Sequence, residues 1–147
     1  MEYPKVTDLI PHRPPMLLID KILDVQESAG TVTALVDPKH LFLREDGTLS
    51  PETYSELIAQ SFGACEAYRR LQRNLTIDGG GYLSSVRDMQ VFEDAVLGDV
   101  LTVRTEKADE CFNTYIVRGE VFRAEEKLAQ STVYIFMWQG NQPPLSL

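Results

Sequence analysis

Residues 59–65 constrain the fold of this chain most, because none of these seven side chains carries a charge. They lie inside an apolar pattern that recurs at three- and four-residue steps from residue 54 to residue 71, as in an α-helix. A helix on a protein surface would show polar or charged residues along one face of this segment. The sequence therefore predicts a helix over residues 51–73 that the rest of the chain surrounds.

The residues at the ends of this predicted helix suit its dipole and its unpaired backbone groups. Ser50 offers a capping hydroxyl, Pro51 fits the first helical position, and the charge of Glu52 matches the positive end of the dipole. Arginines suit the opposite end of a helix, and three occur there: Arg69, Arg70 and Arg73. The sequence therefore marks both the start and the end of the helix.

The remainder of the chain has the alternating pattern of half-buried β-strands. In residues 100–105 and 115–121, β-branched side chains alternate with polar ones. Turn residues at 28–30, 78–81 and 97–99 separate such segments. Six strands are predicted: residues 19–26, 31–37, 82–92, 99–108, 113–123 and 128–138. This order predicts an α+β domain in which one antiparallel sheet curls around the helix, although other sheet-plus-helix layouts fit the pattern.

Length, composition and charge limit the classes of protein that this chain can form. With 147 residues, 44% of them hydrophobic, it is predicted to form a single domain over residues 1–147. A net charge of −8 argues against nucleic-acid or anionic-membrane partners, which require basic surfaces. Neither a signal-peptide pattern nor an apolar run of roughly 18 residues is present, so we expect a cytoplasmic protein. Cys65 and Cys111 are predicted to be free thiols, and no metal or cofactor motif occurs.

Three motifs resemble those of the FabZ/FabA-type 3-hydroxyacyl-acyl carrier protein dehydratases. Residues 10–20, IPHRPPMLLID, are similar to the opening "PHR-P-LL-D" motif of that family. Residues 55–60, SELIAQ, resemble its "LEAMAQ" stretch on the central helix, and residues 95–99, AVLGD, resemble its "PV-PGD" turn. The resemblance implies a hotdog fold, in which a six-stranded antiparallel sheet wraps around one long helix. It is closest to the divergent ApeP-like branch, which lacks the usual catalytic histidine.

The resemblance also implies a reaction on acyl thioesters. In these dehydratases a histidine takes the α-proton of a 3-hydroxyacyl thioester, and an acid on the central helix of the partner subunit protonates the departing hydroxyl. The acid maps onto Glu56, whose carboxyl we expect to be partly buried with a raised pKa. Backbone N–H groups at the helix start would polarise the thioester carbonyl. The implied substrate contacts are Pro51, Glu52, Tyr54 and, one turn after Glu56, Gln60.

The histidine is where this sequence departs from the family. No histidine stands at the family's catalytic position within residues 41–51. His40, which precedes this loop at a predicted strand end, is the candidate base, whereas His12 in the N-terminal motif is interpreted as structural. Glu45 and Asp46 are predicted to form a solvated turn rather than to carry protons.

The charge before the predicted turn at residues 95–99 bears on the carrier of the substrate. The resemblance implies an acyl thioester of acyl carrier protein or of coenzyme A. Residues 91–95 include two acids here, which would repel an acidic carrier protein. Docking of such a carrier would then have to use basic residues elsewhere: Arg69, Arg70, Arg73 or Arg87.

Three functions are open from the sequence. The chain could dehydrate 3-hydroxyacyl thioesters in fatty-acid or polyketide-like biosynthesis, with Glu56 as acid and His40, or a residue of another subunit, as base. It could hydrolyse thioesters with Glu56 alone, or it could be a non-catalytic or half-site subunit of an intact dehydratase. In each case we expect a homodimer, or a heterodimer with another hotdog protein, that pairs residues 82–92 across a two-fold axis.

Overall fold

The computed structural model describes residues 2–77 and 79–138, and its elements follow the predicted order. A short 3₁₀ turn, Val6–Asp8, precedes strands β1, Lys21–Val25, and β2, Ala29–Leu35. Helix α1, Thr53–Gln72, comes next. The last four strands are β3, Gly80–Val91; β4, Val100–Cys111; β5, Thr114–Arg123; and β6, Glu126–Trp138. Asp78, placed in a predicted turn, lies outside the described residues, as does the end of the predicted domain after residue 138.

All six strands form one antiparallel sheet. The strand order is β1-β2-β4-β5-β6-β3, so β1 and β3 are its two edges. Along β4, Leu101 and Val103 are buried whereas Arg104 is exposed, as the alternating pattern predicts. The predicted α+β architecture, with a six-stranded antiparallel sheet and one helix, is confirmed. The described helix is not long and apolar enough to cross a membrane.

Helix α1 packs against the inner face of the sheet. Leu57, Ile58, Phe62 and Cys65 have no exposed surface, and α1 contacts all six strands. This packing explains why residues 59–65 carry no charge, because an unpaired charge in such a core would lose its hydration without compensation. The prediction of a surrounded helix is confirmed.

Two glycines allow α1 to approach the sheet closely. A Cβ atom at Gly119 on β5 would overlap the side chain of Ile58, and one at Gly30 on β2 would overlap Sγ of Cys65. Gly30 is therefore a packing residue within a strand, and its assignment to a turn is wrong. The same correction applies to residues 80–81, which belong to β3. A glycine near a strand end can form a turn or permit close packing within the strand. At Gly30 the contact with Cys65 explains the glycine by close packing.

The helix begins two residues later than predicted, at Thr53. The N–H of Thr53 bonds to the carbonyl of Ser50 at 3.0 Å, so a separate turn precedes the helix. The N-cap residue is Glu52, and no side chain bonds to the free N–H groups there, so the prediction of Ser50 as the cap is wrong. At the other end, Asn74 adopts a left-handed conformation with a φ of 60°, which stops the helix.

A buried ion pair ties the C-terminal half of α1 to the connection between β1 and β2. Nε of Arg69 lies 2.9 Å from Oε1 of Glu66, and Nη1 of Arg69 donates to the carbonyls of Gln26 and Ala29. Only 6% of the Arg69 side chain is exposed. Arg69 therefore cannot contact a carrier protein, and its assignment as a docking residue is wrong.

We expect Gly119→Ala to destabilise the protein by about 1–3 kcal/mol, because the added methyl group overpacks the core against Ile58. The matched control is Gly63→Ala on α1, where a Cβ would meet only Cγ2 of Ile10, at an ordinary 3.7 Å. That change should be neutral or stabilising by up to about 1 kcal/mol, since alanine favours a helix. Urea unfolding measures both free energies. Equal stability of the two variants would contradict the close packing at Gly119.

Candidate active site

An open groove runs beside α1, between the N-terminal segment and strands β3 and β6. It leaves about 70 Å³ of space for water-sized molecules and opens to solvent. One wall is formed by residues 9–12, and the opposite wall by residues 79–83 together with Ile135, Met137 and Trp138 of β6. Most of these side chains are apolar, which suits the binding of a hydrocarbon chain.

The floor of the groove is one face of α1. Glu56, Gln60, Gly63, Ala67 and Arg70 follow one another along this face at three- and four-residue steps. Because Gly63 and Ala67 have the smallest side chains, the middle of the floor leaves room for a ligand. Glu56 and Arg70 stand at its two ends, about 21 Å apart along the axis at the helical rise of each residue.

Glu56 is the acidic group of this groove. Its Oε2 atom is buried and has no hydrogen-bond partner among the described residues. Burial raises the pKa of the Glu56 carboxyl, because the charged form loses its hydration. The partial burial expected from the sequence is confirmed, and its effect on the pKa has the expected direction.

Gln60 is not bonded to Glu56, although it lies one turn away on the same face. Its Nε2 donates to the carbonyl of Met16 at 2.9 Å, and its Oε1 accepts the N–H of Leu18 at 2.9 Å. The amide therefore holds the N-terminal segment against α1. Gln60 also lines the groove, and its contact with a substrate stays a prediction.

The other three predicted substrate contacts lie away from the groove. Tyr54 is fully buried, and its hydroxyl accepts the N–H of Ala95 at 2.8 Å. Pro51 and Glu52 are exposed in the turn before α1. None of the three lines the groove. Tyr54 joins the helix start to the loop before β4, and this packing gives its side chain no access to a ligand in the groove.

His40 also lies outside the groove. It stands in the loop after β2, where its Nδ1 accepts the N–H of Phe42 at 3.1 Å. Burial lowers the pKa of the His40 imidazole, and the negative charges of Asp37 and Asp20 oppose that effect. The structure does not bring His40 and Glu56 into one groove of the chain, and a catalytic role for His40 stays a prediction.

The loop after His40 contains a small hairpin. The N–H of Gly47 bonds to the carbonyl of Arg44 at 3.0 Å, and Oδ1 of Asp46 accepts the N–H of Thr48 at 3.0 Å. Glu45 and Asp46 are exposed at its tip. The prediction that these two acids form a solvated turn is confirmed.

His12, interpreted as structural from the sequence, lines the same groove as Glu56. The backbone of its motif is held by the neighbouring Arg13, whose guanidinium donates to the carbonyls of Thr7, Ile10 and His12. Nδ1 of His12 is buried without a hydrogen-bond partner among the described residues. The sequence contained one signal that His12 could face the groove. The adjacent Arg13 can hold the backbone of the motif, so the histidine is not needed for that purpose.

The fold places the chain among the hotdog proteins. It matches the structure titled "The Dehydratase Heterocomplex ApeI:P from Xenorhabdus doucetiae" with a TM-score of 0.84 and 20% identity, over 94% of this chain and 93% of that chain. A hypothetical thioesterase from Streptococcus pneumoniae, solved with coenzyme A, matches with a TM-score of 0.62 and 16% identity, over 83% of this chain and 88% of that chain. The PaaI protein of the E. coli phenylacetic acid degradation operon matches with a TM-score of 0.61 and 15% identity, over 78% of this chain and 80% of that chain. At these identities the likeness establishes the fold.

A family model described as ApeP-like, ApeP dehydratase, matches residues 4–143. The chain therefore belongs to the ApeP-like dehydratase family. The resemblance drawn from the three sequence motifs is confirmed, both for the fold and for the dehydratase-like class. A search among curated proteins gave no sequence match.

The raised pKa of Glu56 predicts a pH-dependent difference in stability between the wild type and Glu56→Gln. The folded-state pKa lies above the ordinary value of 4.5, so the folded state binds the proton more tightly than the unfolded state. Glu56 therefore costs no stability below its unfolded pKa, and it lowers the free energy of unfolding as the pH rises through its folded pKa. Glu56→Gln should be more stable than the wild type at neutral pH, and the gain should vanish in acid.

Urea unfolding at a series of pH values measures this difference. Glu52→Gln is the matched control, because a hydrogen bond from the Ser50 side chain lowers the pKa of the exposed Glu52 carboxyl. That variant should show no gain at neutral pH. A wild type as stable as Glu56→Gln at neutral pH would show that Glu56 is not a desolvated, unpaired carboxyl.

Proposed function

We propose that this chain takes part in the dehydration of 3-hydroxyacyl thioesters, with Glu56 as the acid that protonates the departing hydroxyl. The observation that carries the proposal is the Glu56 carboxyl, which is half-buried, lines an apolar groove and has a buried oxygen without a partner among the described residues. Membership of the ApeP-like dehydratase family supports the same class of reaction.

The environment of Glu56 suits proton donation. Loss of the hydroxyl from a 3-hydroxyacyl thioester requires a proton on the departing oxygen. A carboxyl with a raised pKa stays protonated closer to neutral pH than an ordinary glutamate and so can supply this proton. The apolar walls around Glu56 preserve this state by limiting hydration of the carboxylate.

Thioester hydrolysis is the second candidate, because similar structures include proteins described as thioesterases. In such an enzyme Glu56 would act as a base or a nucleophile, and both roles require the ionised carboxylate. Burial of Glu56 favours the protonated form instead. The electrostatics of the groove therefore support dehydration over hydrolysis.

The shape of the groove supports an acyl thioester as the substrate. Ile10 and Leu83 give it apolar walls, and Gly63 and Ala67 leave space along its floor for an acyl chain. The thioester would be carried on the pantetheine arm of acyl carrier protein or of coenzyme A. Three arginines of the predicted docking set remain accessible for an acidic carrier: the half-buried Arg70 and the exposed Arg73 and Arg87.

The free edge of β3 supports a dimer of two hotdog domains. This strand pairs only with β6 in the described chain, and its Tyr82 and Val86 are 54% and 40% exposed. A second domain paired along β3 would border the groove, because the start of β3 lines it. The similar ApeI:P structure is a heterocomplex, which supports a different hotdog chain as partner. A second copy of this chain is the alternative.

Glu56→Gln should slow the interconversion of 3-hydroxyacyl and enoyl pantetheine thioesters by about 10²–10⁴-fold, since the amide cannot donate the required proton. Enoyl absorbance and free-thiol release are followed together, for the chain alone and with an added dehydratase-type hotdog chain. Glu45→Gln, which changes an acid in the exposed turn, should retain the wild-type rate.

The measurements of enoyl absorbance and of free-thiol release distinguish the candidate functions. Thiol release that depends on Glu56 would establish the thioesterase. Enoyl formation that appears only with the second chain, and is lost in Glu56→Gln, would support a dehydratase shared between two subunits. Unchanged enoyl formation in Glu56→Gln would contradict the proposed role of Glu56.

A further inference from the structure

We propose that His12 supplies the base for this dehydration, so that one chain carries the proton acceptor and the proton donor on the walls of a single groove. The inference rests on the proposed function. His12 lines the groove from the N-terminal segment, and Glu56 lines it from α1. A thioester bound in the groove would therefore meet both groups, whereas His40 lies outside it.

The N-terminal segment holds His12 in a fixed position. Ile10, two residues earlier, is only 7% exposed and belongs to the core. The Arg13 guanidinium donates three hydrogen bonds to backbone carbonyls of this segment, at 2.7 to 3.0 Å. Gln60 ties residues 16–18 to α1 on the other side. The segment that carries His12 is thus fixed to the helix that carries Glu56, as a catalytic pair requires.

The His12 ring does not serve the fold through its buried nitrogen. Nδ1 is buried and has no hydrogen-bond partner among the described residues. Buried polar atoms in proteins are nearly always hydrogen-bonded, so a purely structural histidine would be expected to bond this atom. Arg13 already satisfies the backbone carbonyls of the motif. The described residues therefore give this nitrogen no structural hydrogen bond.

The ionisable groups that face the groove favour His12 as the base and Glu56 as the acid. Among the described lining residues these groups are His12, Glu56, Arg70 and the phenol of Tyr82, and the lining residues of β6 are apolar. Burial, together with the charge of the adjacent Arg13, lowers the pKa of the His12 imidazole and so favours its neutral form. Burial raises the pKa of the Glu56 carboxyl. Burial thus shifts the pKa of His12 toward a neutral acceptor and the pKa of Glu56 toward a protonated donor.

The two groups account for each proton moved in the reaction. His12 takes the proton from the α-carbon of the 3-hydroxyacyl thioester, and the electron pair of that C–H bond forms the new double bond to the β-carbon. The C–O bond at the β-carbon breaks with its electron pair on oxygen, and Glu56 protonates this oxygen to release water. The site is left with imidazolium and carboxylate, and transfer of one proton from His12 to Glu56 through solvent restores both groups.

His12→Gln tests the proposal in whichever assembly, alone or with a second hotdog chain, the wild type forms enoyl thioester. We expect kcat to fall by about 10²–10⁴-fold with little change in KM, since glutamine fills the site but accepts no proton. The double variant with Glu56→Gln should lose little more than the stronger single variant, because the two groups act as a unit. The loss of rate on acidification, which protonation of His12 causes, should disappear from the residual activity.

His40→Gln tests the other candidate base, which lies outside the groove. This variant should retain the wild-type rate. His12→Asn and thermal melting of all variants separate loss of the base from loss of the fold. Full activity of His12→Gln or His12→Asn, beside an inactive Glu56→Gln, would overturn the role of His12 and leave that of Glu56. A slower His12→Gln that keeps the acidic fall in rate would assign His12 a structural role. Absence of enoyl formation by the wild type in both assemblies would overturn the proposed function, and this inference with it.

Discussion

The close approach of α1 to the sheet is the constraint on which the rest of the structure depends. Gly30 and Gly119 lack the side chains that would hold the helix away, and residues 59–65 carry no charge that would require water. The strands can therefore wrap the helix, and all six contact it. Along the helical face that carries Gly63 and Ala67, the small side chains leave space, and the groove lies there.

The same burial produces the chemistry of the groove. Glu56 shares its helix with core residues, so its carboxyl loses water, and its buried oxygen gains no partner among the described residues. The fold thereby carries a group that lowers its stability as the pH rises. An uncharged residue at this position would serve the fold better. An unpaired acid in an apolar groove is therefore better explained by function than by stability.

Local patterns predicted the helix, the six strands and the burial of Glu56, because periodicity reports which side of a segment faces the core. The sequence predictions were incomplete where one residue type can serve two structural purposes. Gly30 can form a turn or permit close packing, and Arg69 can meet solvent or pair with the buried Glu66. His12 likewise shares a motif with an arginine, and the motif does not tell which side chain reaches the groove. Each choice depends on partners that are distant in the sequence.

The groove is proposed to pair a carboxyl of raised pKa with an imidazole of lowered pKa. NMR titration of carbon-13-labelled protein measures both groups directly, and Glu56→Gln and His12→Gln identify their resonances. Glu56 is expected to titrate with a pKa above its ordinary value of 4.5, and His12 with a pKa below its ordinary value of 6.5. A Glu56 pKa at or below 4.5 would contradict the account, because the carboxyl would then be an ordinary solvated or paired group rather than a desolvated proton donor.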